Sequence, residues 1–321
     1  MSVKTVFQTI SGERAQREYE ELLGSAFGVP QGTSFFDDFP VWDERHGADI
    51  YRAGAYDGGR LVAAASCRIA RLAVAKGSVS VAVIGGVVTH ASHRGRGLAS
   101  EAVNIAIEHA ASQGAVLALL WGSEHSMYRK LGFELCGVQS RVPIKQIKDR
   151  LVSHAFSGMK TGTGWQDAVF KCMRGREGGF IIENKDKKWL SAHKNVHWWW
   201  IGDNLEVRAY AAVGRGIDLG GMIHEWGGDK EALMLLLARL QETGPMLEIL
   251  GSPALFEKYG FNPAGSVREH LCMARVVDAG ALARAGGVDP AGAAPDARWF
   301  FGAPDARAAR MPLWVWGLDA A

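Results

Sequence analysis

The chain has 321 residues, 48% hydrophobic and 22% charged, the balance of a globular protein long enough to bury two cores and not of a disordered or fibrous one. A net charge of +2 gives no reason to expect nucleic acid or a strongly acidic partner. No apolar run approaches the ~20 residues of a membrane span, Met1–Phe7 turns polar before a signal-type core forms, and Cys67, Cys136, Cys172 and Cys272 have no CxxC spacing. The expectation is a cytoplasmic protein without metal or membrane contact, its cysteines serving as small buried hydrophobes.

In chain order, Val3–Ile10 reads as a strand and Glu13–Phe27 as an amphipathic helix. Ala15, Tyr19, Leu22, Leu23 and Phe27 recur at helical spacing, and Gly28 and Pro30 stop it. Phe35–Arg45 is a second helix or an aromatic loop. Ile50–Tyr56, the turn Asp57-Gly58-Gly59 and Leu61–Ala70 form a hairpin pattern, and Val79–Thr89 is an apolar strand. Next come His93-Arg94-Gly95-Arg96-Gly97-Leu98-Ala99 and a helix over Gly97–Gln113, with Gly114 at its C-cap. One face of that helix is Leu98, Ala102, Ile105 and His109, the last expected as a satisfied buried histidine; Glu101, Asn104, Glu108 and Ser112 lie opposite. Val116–Leu120 is a buried strand run, and Phe133–Ile144 reads as one closing strand.

A glycine-rich, doubly basic turn between a strand and a helix N-terminus can hold an anion, because the first N–H groups of a helix lack partners and its dipole is positive there. Gly95 and Gly97 would let the backbone approach a phosphate, and Arg94 and Arg96 add charged donors. A plain tight turn is the competing reading. No Gly-Lys-Ser/Thr follows, so this is not a nucleotide P-loop, and the three-glycine dinucleotide fingerprint is missing. The pattern Arg-x-x-Gly-x-Ala, filled by Arg94, Gly97 and Ala99, resembles the acyl-CoA pyrophosphate loop of the GNAT family of N-acetyltransferases. Ser-Glu-x-x-x-Tyr-Arg-x-x-Gly-Phe over Ser123–Phe133 resembles, more narrowly, the enhanced intracellular survival (Eis) type of that family.

The second half of the chain repeats the first. Met246–Ser252 mirrors the strand at Val116, and Leu255–Phe261 mirrors Met127–Phe133, with Gly260 and Phe261 at the offset of Gly132 and Phe133. Asp229 is placed to cap a helix over Lys230–Gln241. The fold implied is α/β (α+β): two tandem GNAT-like domains, each a mixed, mostly antiparallel sheet flanked by helices, plus a C-terminal tail. The divisions expected are 1–145 for a catalytic domain, 146–276 for a degenerate copy and 277–321 for an Ala/Gly/Pro-rich segment and Trp-rich tail. The same offset sets Met222–Gly227 opposite the phosphate loop, with no arginine, and an uncompensated Glu225 there would repel a diphosphate. Phe256 replaces the tyrosine. Asp278–Arg310 reads as a linker, and Pro312–Leu318 is apolar enough to dock on the body. The chain departs from the Eis type in having no room for a third, sterol-carrier-like domain.

The resemblance implies an acetyl-CoA-dependent N-acetyltransferase acting on a small-molecule amine. It places coenzyme A on Arg94, Gly95, Arg96, Gly97, Leu98, Ala99, Ser123 and the main chain of Val87, Val88 and Thr89, and makes Tyr128 the general acid. The base stays open among Glu124, His125, His90 and the terminal carboxylate of Ala321. Phe35, Phe36, Phe39 and Trp42 are acceptor-pocket walls or core aromatics. Asp37, Asp38, Asp43 and Glu44 are an acidic acceptor side or a solvated face. Trp198-Trp199-Trp200 is core or the interface of a homo-oligomer. The alternatives in function are a non-catalytic acyl-CoA sensor and a transferase of longer acyl or aminoacyl groups.

Overall fold

A computed structural model describes residues 5–46, 49–144, 165–202, 205–243, 247–261, 266–290, 295–305 and 309–320. The chain opens with β1 (Val6–Thr9) and α1 (Glu13–Phe27), which buries Tyr19, Leu22 and Leu23 and ends where Gly28 turns left-handed (φ 65°). The aromatic stretch is one helical turn, α2 (Phe35–Asp38), capped by Ser34 and followed by two short 3-10 turns. β2 (Ile50–Asp57) and β3 (Arg60–Val74) close over Gly58 and Gly59 at φ 59° and 78°, the left-handed pair that a two-residue hairpin turn needs. β4 (Gly77–Thr89), α3 (Leu98–Ser112), β5 (Leu117–Leu120), α4 (His125–Lys130), β6 (Glu134–Cys136) and β7 (Gln139–Pro143) follow.

The second half runs α5 (Trp165–Met173), α6 (Lys187–Leu190), β8 (His197–Gly202), β9 (Val207–Arg215), β10 (Asp218–Gly228), α7 (Lys230–Thr243), β11 (Glu248–Gly251), α8 (Pro253–Tyr259), β12 (Val267–Glu269) and β13 (Cys272–Val276). It ends with α9 (Ala279–Gly286) and α10 (Ala297–Phe301), so the stretch expected as a linker holds two helices, each started by an aspartate cap, Asp278 and Asp296.

Two sheets result, ordered β1-β2-β3-β4-β5-β13-β6 and β12-β7-β11-β10-β9-β8. Each is antiparallel except for one pair, β4 with β5 and β10 with β11. They also exchange a strand: β13 slots between β5 and β6, and β7 between β12 and β11. Phe133–Ile144 is therefore not one strand. It breaks at Gly137, whose φ of 67° turns the chain out of the first sheet and whose N–H reaches the Gly302 carbonyl. Residue 145 divides the sequence but not the sheets.

α3 packs on one face of the first sheet through Ala102, Val103, Ala106, Ile107 and Ala110, a stripe one residue round from the expected one. Ile105 and His109 flank that stripe half-buried, and His109 stacks on Tyr51 instead of lying in the core. The other face shares one apolar core with the second sheet, running from Tyr19 and Val83 through Trp189 to Trp226 and Trp316. The tail docks into that core: Leu313, Trp314, Val315, Trp316 and Leu318 are buried. The three-tryptophan run is β8, the edge of the second sheet, with Trp200 buried against Trp165 and the other two half-buried.

Candidate active site

The site forms where β4 leaves its neighbour. β4 pairs with β5 only from Val81 to Val83, yet runs on to Thr89. Opposite β3 the register slips between Ala64 and Ser66, so Gly86 and Val87 bulge, with Gly86 at φ 55°. The bulge is held from behind. A Cβ on Gly85 would fall 2.3 Å from the Trp42 ring, and the Tyr19 hydroxyl bonds Ser66 (2.7 Å) and the Gly86 carbonyl (3.4 Å). Sequence reasoning placed Tyr19 on an apolar helix face and Trp42 as a pocket wall or core aromatic but missed their hold on this pair of glycines, although two glycines inside a strand are a bulge signal. Among the described residues no strand pairs with β4 on its β5 side beyond Val83, so the main chain of Val87, Val88 and Thr89 is unpaired on that side.

Past Thr89 the loop lies over the start of α3. Gly95 and Gly97 have φ of 75° and 76°, and a Cβ on either would meet nothing within 4 Å. Both glycines are thus needed for conformation, with open space before them. Among the described residues, no protein acceptor is found for the N–H groups of residues 95–99. Leu98 buries its side chain against Ala55, Val62 and Ala63 and pins the helix end. Arg94 is exposed and unpaired among the described residues. Arg96 is tied to Asp57 (3.4 Å) and Thr5 (3.2 Å), and Asp57 also accepts from His93 (3.1 Å), so Asp57 braces the loop, a role the sequence did not reveal. His90 turns back to Ser92 (2.8 Å).

After β5, Tyr128 sits in α4 with its ring beside Gly122 and edge-on to Phe133. Its hydroxyl has no hydrogen bond among the described residues. Burial, with the Glu124 carboxylate adding to it, pushes the phenol up to about 12. Ser123 is exposed, and its carbonyl takes the His125 N–H (2.8 Å). Glu124 is exposed and does not cap α4 with its side chain; His125 is half-buried.

Residues 12–136 match the model of the acetyltransferase (GNAT) domain. These residues are a GNAT acetyltransferase domain. No curated protein matches the sequence at a significant level. Among solved structures, a conserved protein of Enterococcus faecalis V583 superposes with a TM-score of 0.63 at 17% identity, covering 86% of this chain and 73% of its own. A GCN5-related N-acetyltransferase from Kribbella flavida gives 0.60 at 19%, covering 88% and 73%. Eis1 from Mycobacterium abscessus gives 0.60 at 14%, covering 88% and 76%. At these identities the likeness is one of fold, and it extends beyond the GNAT domain into the second sheet.

Of the open alternatives for the aromatic and acidic stretch, the structure selects as follows. Phe35, Phe36, Phe39 and Trp42 are core aromatics, and Phe36 also lines a small cavity of about 230 Å³. The acidic group is neither free nor merely solvated. Asp38 is buried and accepts from Asn195 and the Ile217 N–H, joining the two halves; Asp37 pairs with Lys194, Asp43 with Arg45, and Glu44 with Arg52. Ala321 lies outside the described residues. Its neighbours are held: Ala320 and Gly317 accept from Arg215, Asp319 accepts from Arg176, and the Asp319 main chain accepts from Arg68 (3.2 Å).

The second copy is closed, for reasons other than those expected. Met222–Gly227 is strand, not loop, and β10 passes into α7 through Asp229 alone. Asp229 occupies the helix start itself, accepting the Ala232 N–H at 2.9 Å. Glu225 is compensated: Arg176 meets both of its oxygens at 2.8 Å and Tyr210 donates to it at 3.1 Å.

Proposed function

We propose that the chain is an acetyl-CoA-dependent N-acetyltransferase that moves the acetyl group directly onto a primary amine of a small molecule. The observation that carries this reading is that, among the described residues, the main chain lacks partners at two places, the β5 side of β4 after Val83 and the N–H groups of residues 95–99. Acetyl-CoA supplies the acetyl group, activated as a thioester. The free N–H groups of Gly95, Arg96, Gly97, Leu98 and Ala99 hold its diphosphate, with Arg94 as the mobile cation. Val87, Val88 and Thr89 offer their main chain to the pantetheine amides as an added strand would, and one N–H there polarises the thioester carbonyl. Ser123 lies near the sulfur.

In the transfer a nitrogen–carbon bond forms as the carbon–sulfur bond breaks; the nitrogen loses a proton and the sulfur gains one. Tyr128 gives the sulfur its proton. A phenol at about 12 is protonated at any working pH. It is also a weaker acid than a thiol of pKa about 8.5, so its proton moves only as the sulfur departs. The proton leaving the nitrogen then restores the phenol, with Glu124 and His125 at the same helix start as relays through water.

Thiol release from acetyl-CoA with a panel of small amines tests the reading. Release is expected with at least one amine. Absence of release with every amine, in a protein that binds coenzyme A, would leave an acyl-CoA sensor instead.

A further inference from the structure

We propose that the chain has a second small-molecule site, for a monocarboxylate, in the cavity between the start of β2 and the segment Phe180–Glu183, with Arg68 as its anion receptor. This inference does not depend on the acetyltransferase reading.

The cavity follows from how β3 is paired. β2 begins at Ile50, opposite Arg68, and β1 covers β2 only from Ala53, so Ile50 and Tyr51 leave an open sheet edge. β3 continues to Val74. Its free edge there is taken by Phe180, bridged to Leu72, and by Ile181, whose N–H donates to the Arg71 carbonyl at 2.8 Å. Between these two partners of β3 lies a cavity of about 800 Å³, within the roughly 300–1,000 Å³ range of small-molecule sites. None of its lining residues belongs to the loop 90–99, to Ser123–Tyr128 or to α2.

Arg68 is the uncompensated group in its wall. It is 6% exposed, its Nε has no acceptor, and its one hydrogen bond among the described residues goes to the main-chain oxygen of Asp319. Its guanidinium lies 5.3 Å from the Phe180 ring and 5.2 Å from the Trp189 ring. Four carboxylates also line the cavity, and each is already held. Asp49 pairs with Lys185, and Glu183 with Lys185 and Arg71. Asp186 accepts from Trp189 Nε1 and the Glu183 N–H, and Asp319 from Arg176 and the Phe180 N–H. Among the described residues none forms an ion pair with Arg68.

A buried guanidinium stays charged, and an unpaired buried charge is costly. Burial works against Arg68, and the more distant Asp319 and Asp186 offset only part of that. A carboxylate entering from the cavity would give the guanidinium the charged acceptor it lacks among the described residues. The stacked pair Tyr51 and His109, 3.9 Å apart and 9° from parallel, gives the same cavity a flat wall for the ligand's apolar body.

Thermal unfolding of the full chain in millimolar acetate, phenylacetate or benzoate, each against benzamide at the same concentration, tests the site. At least one carboxylate should raise the Tm by a few degrees while benzamide does not. The shift should vanish in a folded Arg68→Gln variant and persist in Arg71→Gln, whose guanidinium is already bound to Ser78 and Glu183. Should Arg68→Gln not fold, wild-type crystals soaked in the stabilising carboxylate must show it on Arg68. No shift with any carboxylate, an equal shift with benzamide, a shift retained in Arg68→Gln, or density elsewhere would overturn the proposal.

Discussion

The two sheets begin with the same opening and treat it in opposite ways. In each, a central strand pairs in parallel with the next for only two or three residues before the strands part. In the first, the parted strands stay unpaired among the described residues, with a bulge at Gly86, a Tyr128 phenol that has no hydrogen bond among those residues and a loop from His90 to Gly97 before the helix. In the second, Trp226 fills the gap. Its indole donates to the Leu250 carbonyl at 2.6 Å, lies parallel to Phe256 at 6.1 Å and meets Trp316 of the tail edge-on. Asp229 replaces the whole loop and satisfies the helix start from within. One architecture can therefore bind or merely support, depending on whether its main-chain donors are left without partners. The tail takes part in closing the second opening, because Trp316 packs edge-on against Trp226.

The contrast can be broken at several points. The largest effect is expected from Tyr128→Phe, which should slow acetyl transfer by roughly 10²–10⁴ with affinity for coenzyme A unchanged, read by steady-state thiol release and calorimetry. Phe256→Tyr should give the second sheet no activity, because its ring is fully buried and the new hydroxyl would lack a partner. Next comes Trp226→Ala. Emptying that plug should cost about 3–5 kcal/mol of stability in denaturant unfolding without creating a second site. Gly97→Val forces a branched side chain into φ 76°, a strain of about 1–3 kcal/mol, and should weaken coenzyme A binding by at least tenfold. Asp229→Ala should cost about 1 kcal/mol of stability and leave coenzyme A binding alone.

The smallest effect is one of pH. Burial pushes Glu225 up to about 7 and also raises Asp319, against the opposing pull of Arg176. The folded chain therefore holds protons that the unfolded chain has lost between the usual carboxylate range and about pH 7. Stability should fall as pH rises through that window and level off above it. In Glu225→Gln the slope of Tm against pH there should flatten; an unchanged slope would remove Glu225 as its source. Tyr128, at about 12, should contribute nothing in this range.

Local features of this molecule were legible in the sequence. The helix Glu13–Phe27, the hairpin over Gly58-Gly59, the passage from β4 to α3 and the docked tryptophans all follow from periodicity, turn residues and apolar content. Features that depend on distant partners were not. Nothing in the alternation of Phe133–Ile144 says that Gly137 hands the chain to another sheet, or that Cys272 will face Cys136 across an exchanged strand. Glu225 looks like a stray charge until Arg176 is seen against it. The offset between the copies matched their helix ends but misplaced the loop, because β10 reaches α7 through one residue. Around the candidate site, the positive φ of the loop glycines was legible, whereas the Tyr19, Trp42 and Asp57 braces act through contacts no local pattern encodes.

Calorimetric titration of coenzyme A into the wild-type chain and into Gly97→Val tests the difference between the two openings most directly. One equivalent per chain should bind the wild type, and binding should be weakened at least tenfold in the variant. Two equivalents, no binding, or wild-type affinity in Gly97→Val would contradict it.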